Sequence, residues 1–256
     1  MIWAAVLLVV VFVATWAFSR RLDNYSFVDV TWAFAFAPVA ILYAFLNDGW
    51  LVRRIAVAGL VTLWSLRLGS YLFSRVRSHH PEEDRRYAAL RDRWSENLGG
   101  AFLKFFLGQA MLVWLLMLPV FLITREAQVG FQIVEWIGLS VWLCALGGEA
   151  LSDAQLKRFK KNNHDSKQVC QLGLWRYSRH PNYFFQSLLW WGLFLIALPA
   201  AWGWAAILAP LAMLYFLLRI TGIPLTEQLA VESKGEAYKE YQRTTNAFVP
   251  WFPKTP

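Results

Sequence analysis

The sequence predicts an all-α, polytopic integral membrane protein of about seven transmembrane helices. Three observations carry that prediction: composition, the lengths of the apolar runs, and the sorting of basic residues between loops. Of 256 residues, 57% are hydrophobic and 16% charged, and the mean hydropathy is +0.37; a soluble domain carries about 25% charged residues. Apolar runs fall near 1–18, 27–46, 52–74, 102–124, 131–150, 183–199 and 202–222. A hydrocarbon core roughly 30 Å thick needs about 20 residues of helix, which these runs supply. They leave no room for a separate soluble domain, so 1–256 reads as one membrane-embedded domain. Basic residues crowd the first, third and fifth loops and the tail, against Arg53, Arg54 and Arg125 in the others. That asymmetry puts the N-terminus outside and the C-terminus in the cytoplasm. It also accounts for the net charge of +8 without a nucleic-acid partner, for which there is no motif.

Each run has its own signature. The first lacks a basic segment ahead of it, and Arg20 and Arg21 follow it, so it reads as a retained helix and not as a signal peptide. The second opens in YSFVDVTW, with Asp29 near its cytoplasmic end. The third brings Arg67 and Tyr71, four residues apart and on one helical face, to the same surface. The loop 75–100 mixes charges of both signs and predicts a short helix from Glu82 onward, with Glu82 and Glu83 pairing Arg85 and Arg86 in solvent. His79 and His80 stand adjacent with no third ligand at useful spacing, and no metal is expected. Cys144 in the fifth run and Cys170 in a polar loop suggest neither a disulfide nor a metal.

Lys104 and Gln109 open the fourth run at the cytoplasmic side, where Lys104 reads as an interfacial anchor. Glu149 and Asp153 close the fifth at that side. The sixth starts at Pro181, a residue suited to the first helical position because its missing N–H would be unpaired there anyway. A very short turn around Pro199 and Gly203 leads into the seventh. After it, helices are expected over 225–233 and 236–244, separated by Gly235, with Tyr238 and Tyr241 on one face and an aromatic end, VPWFP.

Ionisable groups inside membrane segments are costly and are functional candidates for that reason. Here they gather at the cytoplasmic ends, which suggests a polar cavity above an apolar chamber. Asp29 and Arg67 could equally be an ion pair locking two helices, and Tyr71 an interfacial anchor. The stretch LWRYSRHPNY sets Arg176, Arg179, His180 and Asn182 at a helix start, where free N–H groups and a partial positive charge receive anions such as phosphate. The lysines of the fifth loop are also what membrane insertion alone would select. The tail could cap such a site or lie on the bilayer with Trp251 and Phe252 among the headgroups.

LWRYSRHPNY, preceded by GGEALSDAQLKRF and followed by GIPLTEQLAVESKGEAYKEYQRTTNAFVPWFP, resembles the bacterial branch of the steroid 5-alpha-reductase family. FVDVTWAFAF and WSLRLGSYLFSR resemble it too, so the similarity covers nearly the whole chain. It implies a seven-helix enzyme of the bacterial inner membrane that takes NADPH from the cytoplasm. Such an enzyme reduces a carbon–carbon double bond conjugated to a carbonyl in a lipophilic, steroid- or isoprenoid-like substrate. The resemblance places the cofactor in the half spanning approximately 147–256. The implied contacts are Asp153, Lys157, Arg176, Arg179, His180, Asn182, Tyr183, Tyr238 and Tyr241.

The family pattern PNYxGE stands here as PNYFFQ, with Phe185 for glycine and Gln186 for the acid; Gln186 still hydrogen-bonds an amide such as nicotinamide but holds no charge. Reduction of an enone also needs a donor where negative charge develops on the carbonyl oxygen. Tyr71, with Arg67 or Asp29 beside it, is the catalytic group expected for that task. RHPNY alone is similar to an element of the isoprenylcysteine carboxyl methyltransferases. An S-adenosylmethionine-dependent methyltransferase, or a binding homologue without chemistry, is therefore the alternative. The oligomeric state is not legible.

Overall fold

The computed structural model describes residues 1–163, 165, 167–220 and 222–254. All regular structure among them is helical. Six stretches are long and apolar enough to cross a membrane: Ile2–Arg21, Phe27–Leu46, Leu51–His79, Ser95–Ile123, Ile133–Asn162 and Gly203–Lys234. The chain is a polytopic membrane protein. The remaining expected span, 183–199, is the 17-residue helix Pro181–Ala197, about 25 Å long at 1.5 Å per residue. The chain divides into two compact units, Met1–Glu135 with Ile196–Ala209, and Trp136–Leu195 with Pro210–Pro256.

The first unit holds α1 (Ile2–Arg21), α2 (Phe27–Leu46), α3 (Leu51–His79), α4 (Arg85–Arg93), α5 (Leu98–Leu116) and α6 (Leu118–Ile123). Close approach of α2 and α3 requires Gly69, where a Cβ would lie 2.6 Å from the Phe34 ring. Pro38 sits inside α2, and proline disturbs the helical ladder by its missing N–H and by the bulk of its ring. One turn earlier, Ser65 Oγ of α3 donates to the Ala33 carbonyl (2.6 Å) and accepts from the Ala37 N–H (3.2 Å), bonding both groups of an α2 ladder pair. The fourth apolar run, expected as one helix, breaks at Met117, and α6 restarts with Pro119 in its first turn.

At the start of α3, Arg53 is 1% exposed and pairs with Glu135, 2% exposed, through Nε (2.7 Å) and Nη2 (3.1 Å). Its remaining N–H groups donate to the carbonyls of Gln128 (2.6 Å), Gly130 (2.6 Å) and Glu126 (3.3 Å). The Trp50 and Phe131 rings lie 5.4 Å from its guanidinium carbon. The expectation treated Arg53 as an ordinary loop cation; it is instead the buried knot of the 126–132 connection.

The second unit is built from α7 (Ile133–Asn162, from Trp136 on), α8 (Pro181–Ala197, up to Leu195), α9 (Leu208–Tyr215, from Pro210 on), α10 (Ile223–Lys234) and α11 (Glu236–Thr244). α7 runs past the end of its apolar run at 150, because apolarity ends where helix-forming residues such as Ala154, Gln155 and Leu156 do not. The seventh run is not one α-helix: a 3-10 turn, Gly203–Ile207, precedes α9, and a π-helical stretch, Phe216–Ile220, follows it. α10 and α11 match the two expected tail helices, and Gly235 between them has φ +58°, a conformation glycine adopts at little cost.

Glycines bring α7 and α8 together, the usual means of close helix approach in membranes. A Cβ on Gly192 would lie 2.9 Å from the Gly138 carbonyl oxygen, and one on Gly148 would lie 2.4 Å from the Phe185 ring. Phe185, which departs from the family pattern, is thus accommodated by the missing side chain at Gly148. Gly148→Ala is expected to destabilise the protein by about 1–3 kcal/mol through overpacking. Adding Phe185→Ala should recover most of that loss, a coupling readable by thermal unfolding of the single and double variants.

Candidate functional site

The start of α8 is assembled from both sides in sequence. The approach turns through a 3-10 helix, Gly173–Arg176, which begins at φ +58°. Gln155 of α7 accepts from the Leu174 N–H (2.9 Å), and Trp175 Nε1 donates to the Ser152 carbonyl (2.9 Å), so α7 carries the approach. From the tail, the Tyr241 hydroxyl donates to the carbonyls of Trp175 and Ser178. Ser178 Oγ donates to the Phe248 carbonyl (2.8 Å), and the Arg179 N–H to that of Asn246 (2.9 Å). The Trp251 N–H reaches the Tyr177 carbonyl at 2.9 Å. The last residues of the tail therefore strap the approach in place.

Glu227, in α10, is where these elements meet. Its Oε1 accepts from Arg179 Nε (2.8 Å), His180 Nε2 (2.8 Å) and the Tyr238 hydroxyl (2.9 Å). Its Oε2 accepts from Arg179 Nη2 (2.8 Å) and Gln242 Nε2 (2.6 Å). Because a carboxylate only accepts, His180 carries its proton on Nε2. Arg179 Nη1 is taken by the carbonyls of Gln242 (3.1 Å) and Thr245. Burial first, and then Glu227, pushes the Tyr238 hydroxyl well above its usual range, and burial does the same to Tyr241. Both tyrosines stay protonated donors through the physiological range. Arg179, His180 and Tyr238, expected to contact a cofactor, here make a structural node, and Tyr241 pairs with backbone.

One turn of α8 lies beyond this node. The Tyr183 ring stacks on His180, with centroids 5.4 Å apart and planes 7° from parallel. Asn182 Nδ2 is 3.5 Å from Oδ1 of Asp153, which is 5% exposed on α7. Asn182 Oδ1 is itself buried and has no hydrogen-bond partner among the described residues. A buried acceptor without a donor costs about 1–3 kcal/mol, and a ligand that brought a donor to it would remove that cost. Gln186 follows one turn later, half-buried, and Lys157 and Arg176 are exposed. The site residues of the second unit thus separate into a framework around Glu227 and a smaller group on and beside the first turns of α8.

The three groups expected to be catalytic belong to the first unit. Arg67 and Tyr71 lie half-buried on α3. Asp29 accepts from Arg75 (3.2 Å), Arg86 (2.6 Å) and the Tyr87 hydroxyl (2.5 Å). α4 starts at Arg85, with Asp84 as N-cap accepting from the Arg86 N–H (3.0 Å), not at Glu82 as expected. The expected solvated pairing is replaced too. Arg86 bridges Asp29 and Asp84, while Glu83 accepts from Arg91 (3.0 Å) and from the Tyr25 N–H (2.6 Å). Asp29 does lock helices, and Arg75, Arg86 and Tyr87 are its partners.

Burial alone would raise the Asp84 carboxyl, but Arg86 and Arg75 beside it hold it well below the ordinary carboxylate range. Its folded pKa lies below the unfolded value of roughly 4. Its contribution is therefore complete above that pH and is lost as pH falls below it. Hydrogen exchange of α4 should be unchanged, after correction for intrinsic rates, between pH 7 and 5; early release in that interval would contradict the pairing.

Sequence reading takes Glu227, with Thr226 after the seventh run, only as one of the polar groups gathered at the cytoplasmic ends and does not single it out as a centre. It also misses Glu135, Arg75 and Tyr87, whose partners are distant in sequence.

Fold and site define a polytopic, all-helical membrane protein whose C-terminal tail is bonded over the polar start of a helix. The family described as "Protein of unknown function (DUF1295)" matches residues 15–245, and the chain belongs to it. An uncharacterized protein of Schizosaccharomyces pombe is 25% identical over 267 residues, which cover 92% of this chain and 75% of the yeast one. No solved structure matches the chain.

Proposed function

We propose that the protein is an NADPH-dependent reductase of a carbon–carbon double bond conjugated to a carbonyl in a lipophilic substrate. We place its cofactor site on the cytoplasmic side of a bacterial inner membrane. The observation that carries this reading is the buried Asn182 Oδ1 at the first turn of α8, unpartnered among the described residues, with the buried Asp153 carboxylate beside it. The quoted motifs, which relate the family to the steroid 5-alpha-reductase superfamily, support it.

The residues fit NADPH. Asn182 Oδ1 would accept from a carboxamide or ribose group, and Asp153 would accept from a hydroxyl. Gln186 offers both a donor and an acceptor, so it pairs with an amide in either orientation. Lys157 and Arg176 are exposed cations for the phosphates. The cofactor, when bound, supplies the hydride. Arg179 has its donors committed to Glu227 and to tail carbonyls, so its part is to hold the helix start and not to reach for phosphate. Tyr71 is the proposed proton donor to the carbonyl oxygen, and Tyr71→Phe should depress turnover more than NADPH affinity. Unchanged turnover would remove Tyr71 from that role.

Asn182→Ala discriminates a ligand contact from a structural one. Losing a hydrogen bond to a ligand should weaken NADPH binding about tenfold, while removing an unpartnered acceptor together with the long Nδ2 contact to Asp153 (3.5 Å) should change stability by no more than about 1 kcal/mol. A large fall in melting temperature with unchanged affinity would contradict the assignment. Lys157→Ala and Arg176→Ala should each raise the NADPH Kd about two- to fivefold at low salt, as expected of exposed ion pairs. High salt should abolish that difference.

A further inference from the structure

We propose that Glu227 is the positioning residue of this site: it fixes the start of α8 and the C-terminal tail to one another, and so sets the geometry in which Asn182 and Tyr183 meet a cofactor. The inference rests on the NADPH reading of that helix start. Five donor contacts converge on the two carboxylate oxygens, and the donors come from two separate parts of the chain. Arg179 and His180 lie immediately before Pro181, the first residue of α8, while Tyr238 and Gln242 belong to α11.

The effect passes on from Glu227 in two directions. The carboxylate holds His180 in one tautomer and orientation, and the His180 ring is stacked on Tyr183, the neighbour of Asn182. Through Arg179 it also presents a third guanidinium nitrogen to the tail carbonyls of Gln242 and Thr245. Glu227 is left with no lone pair in evident need of a ligand, which makes it a positioning residue and not a catalytic one.

Charge and acceptor count both matter here, so the isosteric amide should fail. In Glu227→Gln one oxygen becomes an NH2 group, which cannot accept. If it takes the Oε1 place it faces Arg179, His180 and Tyr238; if it takes the Oε2 place it faces Arg179 and Gln242. Either orientation sets donor against donor. Gln242→Met removes one donor at nearly constant volume and leaves the carboxylate, so its effect should have the same sign and be smaller.

The test is NADPH titration of the full-length protein in detergent, followed by tryptophan quenching, together with turnover of an enone at saturating NADPH. For Glu227→Gln the NADPH Kd should rise about tenfold or more, as expected for lost charge-assisted hydrogen bonds, a larger factor than any fall in turnover at saturation. Gln242→Met should give an intermediate Kd. Wild-type binding with an unchanged Kd in Glu227→Gln would overturn this inference and leave the NADPH reading intact, as would lost turnover at an unchanged Kd. If Glu227→Gln does not fold, an unchanged Kd in Gln242→Met overturns it. Absence of NADPH binding by the wild type would overturn the reading itself, and the role assigned to Glu227 with it.

Discussion

Arg53→Ala should lower the stability of the detergent-solubilised protein by about 3–5 kcal/mol, the cost of removing one partner from a buried ion pair. Glu135 would remain 2% exposed with its countercharge gone, and the carbonyls of Glu126, Gln128 and Gly130 would lose their donor together. Replacing both charges, as Arg53→Met with Glu135→Leu, should recover only part of the loss. An apolar pair avoids the stranded charge but offers nothing to the three carbonyls. Thermal unfolding of the three variants checks this, and a single variant within about 1 kcal/mol of wild type would contradict the buried knot.

Arg179→Ala should have an effect of similar size confined to the second unit. It removes both bonds from the guanidinium to Glu227 and the donor to the Gln242 and Thr245 carbonyls. Stripping Glu227, partly buried at 13% exposed, of the charge-assisted bonds from its cation costs about 3 kcal/mol, which should be felt as opening of the tail. Hydrogen exchange should rise across 223–254, with trypsin cleaving after Lys239 or Arg243 faster than in the wild type. NADPH binding should be lost as well. Because Arg179 holds the framework, that loss would not mark it as a cofactor contact; Asn182, Lys157 and Arg176 carry that question. Unchanged exchange across the tail would show that the Arg179 bonds do not hold it.

The features legible in the sequence are those with a local cause. Hydropathy marks where helices enter apolar surroundings, and proline at a first helical position marks α8. Gly235 marks the break between α10 and α11. Where a helix continues after its apolar run, as α7 does to Asn162, or where an apolar run is cut by Met117 and Pro119, hydropathy is the wrong variable. It is equally blind to the turn geometry that makes 203–220 part 3-10, part α and part π. The buried charges are hidden for another reason. Arg53 and Glu135 are 82 residues apart, and Arg179 and Glu227 are 48 apart, separations at which no helical period links partners. The sequence motif gathered Arg179, His180, Asn182 and Tyr183 correctly as neighbours. It does not reveal that an acid beyond the next two apolar runs binds the first two of them.

The most direct measurement is binding of NADPH, NADH and S-adenosylmethionine, titrated separately against the full-length protein in detergent. The chain has fifteen tryptophans, whose emission overlaps the absorption of a reduced nicotinamide; calorimetry serves for the methyl donor. The account predicts saturable NADPH binding, weakened by Asn182→Ala at unchanged melting temperature. Binding of S-adenosylmethionine with none of NADPH would contradict it and assign the helix start to methyl transfer.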